Sequence, residues 1–318
     1  MAGAVLSGAI AAVGFDAAKA ELRRAVEDFL TQLVAKAPDT DVARAAGYAV
    51  LGGGHRWRAL VAVAAGKIFR DDSLKLVLPA ACGVELAHAA SLVLDDLPSM
   101  DDAAIRRGKP CTHRAFPAWA ADMTPVFLVT LAYRTSLDIP SVPASARIKA
   151  ALELSDAGMM MIEGQVHDMR QDLDDGACEE ARLLTCYRLK SAALYGAAAK
   201  MGGILTGADD ADAASLKAAG IDLGYAYQFL DDVADVIAGV AEVARSGARM
   251  PANAPLSTSS EWKGRGGRRQ SFKQEACRIS KGSERKPIGF ASLSPRRAGN
   301  RANPRRRAAR CRWAGCSH

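Results

Sequence analysis

From Asp16 to about Gly239 the chain reads as one helix after another, and this periodicity limits the fold more than any other feature. In the first helix, Asp16 to Ala37, apolar Leu22, Val26, Phe29, Leu30 and Leu33 recur at the spacing of a single buried face. Short punctuation separates successive helices: Gly52-Gly53-Gly54, Arg107-Gly108-Lys109-Pro110, Ile139-Pro140-Ser141-Val142-Pro143 and Asp174-Asp175-Gly176. Alanine and leucine dominate, aromatics are 6% of residues, and β-branched residues rarely alternate with polar ones. The expected class is therefore all-α.

Charge divides the chain of 318 residues unevenly. Residues 1–239 hold 23 Lys and Arg against 31 Asp and Glu, whereas residues 240–318 hold 19 against 4, so an acidic body is followed by a strongly basic tail. Apolar periodicity ends at about Val243, and Gly, Ser, Pro and Arg take over, as in "KGRGGRRQSFKQ". A disordered basic tail is expected there. It lacks the regular aromatic interleaving that stacking on single strands requires, so no nucleic-acid partner is expected. Seven cysteines, odd in number and without metal-site spacing, fit reduced thiols and a cytoplasmic location. Met1 to Phe15 is apolar but has no basic start and leads directly into the charged helical pattern of Asp16 to Ala37, so a signal peptide is not the favoured reading. No stretch is expected to span a membrane.

Two acidic clusters interrupt the apolar helices. In "SLVLDDLPSMDDAAIRRGKP", Asp95 and Asp96 close an apolar helix that Pro98 should end by disfavouring α geometry at Leu97, which lets Asp101 fold back beside Asp95. In "GYAYQFLDDVADV", Asp231 and Asp235 lie one turn apart, about 40° around the helix axis, with Asp232 beside them. Carboxylates in apolar surroundings need partners, and this oxygen-only spacing suits Mg²⁺, which keeps water and phosphate in its shell. One such cluster is an ordinary acidic turn. Two, over a hundred residues apart, point to a shared site.

Cations stand near the first cluster: Arg56 and Arg58 in "GGGHRWR", then Arg106, Arg107 and Lys109. Each alone reads as surface ion pairing. Together with the carboxylates they suit a polyanion bridged by metal ions. His88 lies two turns before Asp95 on the same face; Lys190 in "YRLKSAA" carries no meaning by itself. Met159, Met160 and Met161 read as plain core in preference to a cavity lining.

Taken in order, these segments resemble the trans-isoprenyl diphosphate synthases, or polyprenyl synthetases. "DDLPSMDDAAIRRG" is similar to that family's first aspartate-rich motif and "YQFLDDVAD" to its second. "GGGHRWR" falls where the family has a Gly-Gly-Lys-Arg turn, "ELAHAASLVLDD" matches the helix entering the first motif, "EGQVHD" the Gly-Gln element and "RLKSA" the Lys-Thr/Ser element. The resemblance runs from about residue 40 to 245 and is closest to bacterial geranylgeranyl diphosphate synthases.

The resemblance implies an isoprenoid-synthase-type helical bundle around a deep cavity, a homodimer, and three Mg²⁺ ions, with Mn²⁺ as a substitute. Asp95, Asp96, Asp101, Asp231, Asp232 and Asp235 would be the metal ligands. Arg106 and Lys190, with Ser191 beside it, would touch the allylic diphosphate, Gln228 would line its site, and Arg56, His55, His88 and Arg107 would hold isopentenyl diphosphate. Ala90 and Ser91, five and four residues before Asp95, are small where a bulky aromatic would stop growth at the farnesyl length, so the expected product is geranylgeranyl diphosphate.

The chain also departs from the family. His55 replaces a lysine and Ala59 a proline, and nothing in the tail resembles the family's closing helices. The synthase domain is therefore expected over residues 1–243 without those helices, and residues 244–318 are expected to be tail, with the composition of an out-of-frame reading of a GC-rich gene. Two other readings remain at this point: a farnesyl diphosphate synthase, or a non-catalytic member of the family.

Overall fold

A computed structural model describes residues 2–169 and 179–245, with side chains described over 16–169 and 181–234. Among the described residues, ten helices and one π-helical segment follow in chain order. They are α1 (Ala2–Ala35), α2 (Asp41–Val50), α3 (Trp57–Lys67), α4 (Ser73–Asp96), α5 (Thr112–Ala115), α6 (Ala118–Leu137), α7 (Ala144–Met169), α8 (Glu179–Cys186), the π segment (Tyr187–Ala192), α9 (Ala193–Thr206) and α10 (Asp210–Arg245). The all-α expectation holds, with one addition. Residues read as punctuation form a hairpin of β1 (Ile105–Arg106) and β2 (Lys109–Pro110), antiparallel, with Arg106 opposite Lys109. Arg107 and Gly108 both have positive φ, at 52° and 75°, as a tight two-residue turn between twisted strands requires.

Helix α1 starts well before Asp16, because the Ala-rich residues ahead of it continue the helix. Its Val26 and Leu30 are fully buried, as the apolar spacing requires. Helix α2 begins at a Thr40 cap whose Oγ1 accepts the Ala43 amide at 3.2 Å. Helix α4 ends where Pro98 demands: Leu97 is extended, with ψ at 152°. The chain then folds back, and the Asp101 amide donates to the Asp95 carbonyl at 2.9 Å.

Helix α4 is the centre of the bundle and packs against α3, α6 and α9. It is also the one described helix long and apolar enough to cross a membrane, with an 18-residue window of mean hydropathy 1.7. Glu85 interrupts it, so no run of about 18 uncharged apolar residues is present in it, as the sequence reads. Two-thirds of that window is buried within the bundle, as in a core helix. A buried carboxylate on α7, Glu153, binds Lys200 of α9 at 2.6 Å and Lys217 of α10, tying three helices together. Cys82, Cys111 and Cys186 are free thiols. The segment 170–178, which includes Asp174-Asp175-Gly176, and the tail from 246 onward lie outside the described residues.

Candidate active site

The last turns of α4 present Ala87, His88, Ala90, Ser91 and Asp95 to a cavity of about 1040 Å³. Opposite them, α10 presents Tyr227, Gln228, Asp231 and Asp232, again one helical turn apart. The π segment contributes Tyr187, Lys190 and Ser191, and the hairpin contributes Arg106 and Arg107. Two sequence clusters separated by more than a hundred residues thus face one space. Acidic and basic groups gather at one end of it. The remainder is an apolar shaft between α4, α6 and α7, lined by Val129, Ala132, Tyr133, Leu154 and Ile162 among others.

The π segment fixes the lysine. An extra residue in the helical turn widens it, and α7 lies against it so closely that a Cβ on Gly164 would stand 2.4 Å from the Lys190 amide nitrogen. Only glycine fits. The Lys190 ammonium then reaches Asp168 of α7 at 2.6 Å and Asp95 of α4 at 3.5 Å. Tyr187 is packed edge-on against Phe229, ring centroids 5.4 Å apart, and donates its hydroxyl to Asp232. Burial and the neighbouring Asp232 carboxylate push the Tyr187 phenol far above its ordinary range, so it stays a donor. Gln228 also donates to Asp232, at 3.1 Å, and accepts from Ser191 at 2.7 Å.

The cations are held with equal care. Arg106 takes both oxygens of Asp96, from Nε and Nη2 at 2.7 Å each, and these bonds raise its pKa against the opposing effect of burial. Arg107 donates to the Gly53 carbonyl, and a Cβ on Gly54 would lie 3.1 Å from its guanidinium. Both glycines have positive φ, 90° and 133°, which explains why this turn is built from them. His88 is pushed well below its ordinary pKa, first by burial and then by Arg58, Arg107, Arg106 and Arg56. Its imidazole is neutral at physiological pH.

Some predicted residues stand elsewhere. Asp96 lies behind the main cavity, 3% exposed, because it is one residue further round α4 than Asp95 and faces the hairpin. Asp101 is half-buried and does not line the cavity. Asp235 lies on α10, but its side chain falls outside the described residues. His55 is exposed and apart from the cavity wall.

Arg56 requires a correction: it turns into the interior and pairs with Glu27 and Glu85, because its left-handed backbone, φ 56°, reverses the side chain's direction. Arg58, two residues on, lines the cavity in its place, with its guanidinium 4.5 Å over the Tyr195 ring. Met159 and Met161 line the shaft, and Met161 also packs against the hydrophobic core as the sequence reading has it; Met160 does not line the shaft. The site further includes Asp168, Tyr187 and Tyr227, which sequence reasoning passed over. Asp168 had a signal, being three residues from Gln165 and therefore on the same helix face.

The donor set fits a hard divalent cation: carboxylates stand on facing walls, Asp95 on α4 and Asp231 and Asp232 on α10. Among the described residues no three His, Cys, Asp or Glu side chains converge on one point, so each wall offers one or two ligands.

An all-helical bundle with carboxylates from two facing helices at the mouth of an apolar shaft is the arrangement of an isoprenoid synthase. The comparisons agree: the polyprenyl synthetase family model matches residues 39–248, and the chain belongs to that family. It is 34% identical over 221 residues to a geranylgeranyl diphosphate synthase of Pseudescherichia vulneris, an alignment covering 67% of this chain and 70% of that one. It is 33% identical over 236 residues to the chloroplastic geranylgeranyl pyrophosphate synthase 12 of Arabidopsis thaliana, covering 72% of this chain but only 65% of that protein. A solved isoprenoid synthase family member from Thermotoga neapolitana superposes with a TM-score of 0.63 at 25% identity, covering 82% of this chain and 89% of the other.

Proposed function

We propose that this chain is a prenyltransferase, an Mg²⁺-dependent geranylgeranyl diphosphate synthase that joins isopentenyl diphosphate to dimethylallyl, geranyl and farnesyl diphosphates. The observation that carries this is the two-part cavity: a polar end where Asp95, Asp231, Asp232, Lys190, Arg106, Arg107 and Arg58 meet, opening into an apolar shaft that begins at Ala90 and Ser91. Diphosphates belong at the first part and a growing prenyl tail in the second. Ala90 and Ser91 leave the shaft open beneath the first motif, and the named activities of the relatives point the same way.

In this reading Asp95 would hold metal on the α4 side and Asp231 and Asp232 on the α10 side; Asp96, Asp101 and Asp235 complete the two aspartate motifs to which the family resemblance assigns three Mg²⁺. The metal, when bound, offsets the negative charge of the departing diphosphate. Lys190 and Arg106 bind the allylic diphosphate, Lys190 being steered by Asp168 and Asp95. Ser191 and Gln228 keep Asp232 oriented. Arg58, Arg107 and neutral His88 bind isopentenyl diphosphate. The allylic C–O bond breaks with its electron pair leaving on diphosphate, the isopentenyl double bond attacks the allylic carbon, and the proton lost from the new chain passes to diphosphate oxygen. The protein's contribution is fixed cations around the leaving group and an apolar shaft for the prenyl chain.

We further propose a homodimer and a cytoplasmic location. Trp119, Met123 and Val126 of α6 and Ile148 and Leu152 of α7 are all more than half exposed, an apolar surface of the kind that a second copy covers. The free thiols suit a reducing compartment. The catalytic reading is tested by following diphosphate release from farnesyl and isopentenyl diphosphates with and without Mg²⁺. Release that requires both substrates and the metal supports it; release from farnesyl diphosphate alone, or none, contradicts it.

A further inference from the structure

The glycine turn between α2 and α3 is tied to the interior by one buried carboxylate. Glu85, on α4, is 4% exposed. Its Oε1 accepts the Ala59 amide at 3.1 Å, and its Oε2 stands 3.5 Å from Arg56 Nη1. Ala59 is in the first turn of α3, where amides have no partner within the helix. The Arg56 cap makes no side-chain hydrogen bond to that turn, so Glu85 serves as the cap from a neighbouring helix. Arg56 itself sits at φ 56°, a conformation that a non-glycine residue keeps only where its surroundings over-determine it. Here they do. Its guanidinium binds Glu27 at 2.8 and 3.1 Å and the Val50 carbonyl at 2.6 Å besides Glu85.

What this clamp holds is one end of the cavity. Arg58 is two residues beyond Arg56, and its Nε finds no hydrogen-bond partner among the described residues, so the turn and the Tyr195 ring set its direction. The Gly53 carbonyl in the same turn receives Arg107. Slack in the turn would therefore move Arg58 and Arg107 together. Lys190 and Arg106 are anchored separately, to Asp168 and Asp96, and would stay in place.

Resting on the proposed function, we propose that Glu85 is a positioning residue for isopentenyl diphosphate: through Arg56 and the Ala59 amide it fixes the turn that presents Arg58 and Arg107, and it leaves the allylic diphosphate site untouched. The alternative is a buried counter-ion that serves stability alone. A stability role would not separate the two substrates.

The test uses the full chain and the variants Glu85→Gln, which keeps an acceptor for Ala59 but loses the charge, and Glu27→Gln, on the outer, partly exposed side of the clamp. KM is measured for isopentenyl and for farnesyl diphosphate, each with the other saturating, and the dissociation constant of isopentenyl diphosphate is measured calorimetrically without turnover. Glu85→Gln is expected to raise the isopentenyl KM and dissociation constant about tenfold and to leave the farnesyl KM within about twofold. Equal rises in both KM values, or no rise in a folded variant, overturn the proposal. Should Glu85→Gln not fold, Glu27→Gln decides: a rise of about threefold confined to isopentenyl diphosphate supports the clamp, and an equal or absent effect overturns it. A wild-type chain that binds isopentenyl diphosphate without turning it over sinks the synthase reading only, because the dissociation constants still decide the role of Glu85. A wild-type chain that does neither overturns both.

Discussion

Arg106 grips both carboxylate oxygens of Asp96 and thereby pins the β-hairpin to the end of α4. The pairing is planar and two-pronged, which lysine cannot reproduce. Arg106→Lys keeps the charge but loses the fork, so turnover with farnesyl diphosphate is expected to fall about 10- to 100-fold. The same substitution should shift the melting temperature by only a few degrees, because about a third of the Arg106 side chain is exposed to water. Steady-state kinetics beside thermal melts check both parts. Unchanged turnover would remove Arg106 from the diphosphate site.

Gly164 is where α7 meets the π segment. Adding one methyl there places a carbon 2.4 Å from the Lys190 amide nitrogen and 2.8 Å from the Leu189 carbonyl carbon, both backbone atoms that cannot swing aside. Gly164→Ala is expected to destabilise the fold by about 1–3 kcal/mol and to displace Lys190 from Asp168, with a loss of turnover that exceeds the loss of stability. Urea unfolding and kinetics on the same preparation distinguish the two. A variant as active as wild type would mean that the position of Lys190 does not matter.

Ala90 is 1% exposed and lines the shaft one turn before Leu94. A ring in its place would fill the shaft directly beneath Asp95. Ala90→Phe is expected to shift the main product toward farnesyl diphosphate, and Tyr133→Ala, opposite on α6, toward products longer than geranylgeranyl. Product chromatography reads both shifts. Identical product distributions would move the length control elsewhere in the shaft.

His88 gives a pH dependence with a definite sign. Burial and four arginines hold its pKa well below that of the unfolded chain, about 6.5. Above that value both states are neutral and His88 contributes no slope. Below it the unfolded chain binds a proton that the folded chain refuses, so stability falls as the pH drops from about 6.5 toward the folded pKa. The wild-type melting temperature should therefore decline between about pH 7 and pH 5, and His88→Gln should lose part of that slope. Parallel curves would show that His88 is not the group responsible.

The helices, their breaks and the opposed aspartate clusters were legible in the sequence because each follows from a local rule. Pro98 had to end α4, and a turn had to bring Asp101 back to Asp95. Local rules could not tell Arg56 from Arg58. Their difference depends on one left-handed backbone angle, set by partners on α1 and α4 that are 29 residues apart or more in sequence. Nor could spacing show that Asp96 faces the hairpin, since the hairpin itself was read only as punctuation. The aromatic groups at the site, Tyr187, Tyr195 and Tyr227, carry no motif of their own. They acquire meaning only once α9, α10 and the π segment pack together.

The central claim, that carboxylates and cations at one end of an apolar shaft elongate a prenyl chain, is tested most directly by mass spectrometry. The purified full chain is incubated with isopentenyl diphosphate, farnesyl diphosphate and Mg²⁺, and the products are identified by mass. The expected result is geranylgeranyl diphosphate as the main product, absent when the metal is chelated. A soluble, folded chain that leaves farnesyl diphosphate unextended would contradict the claim.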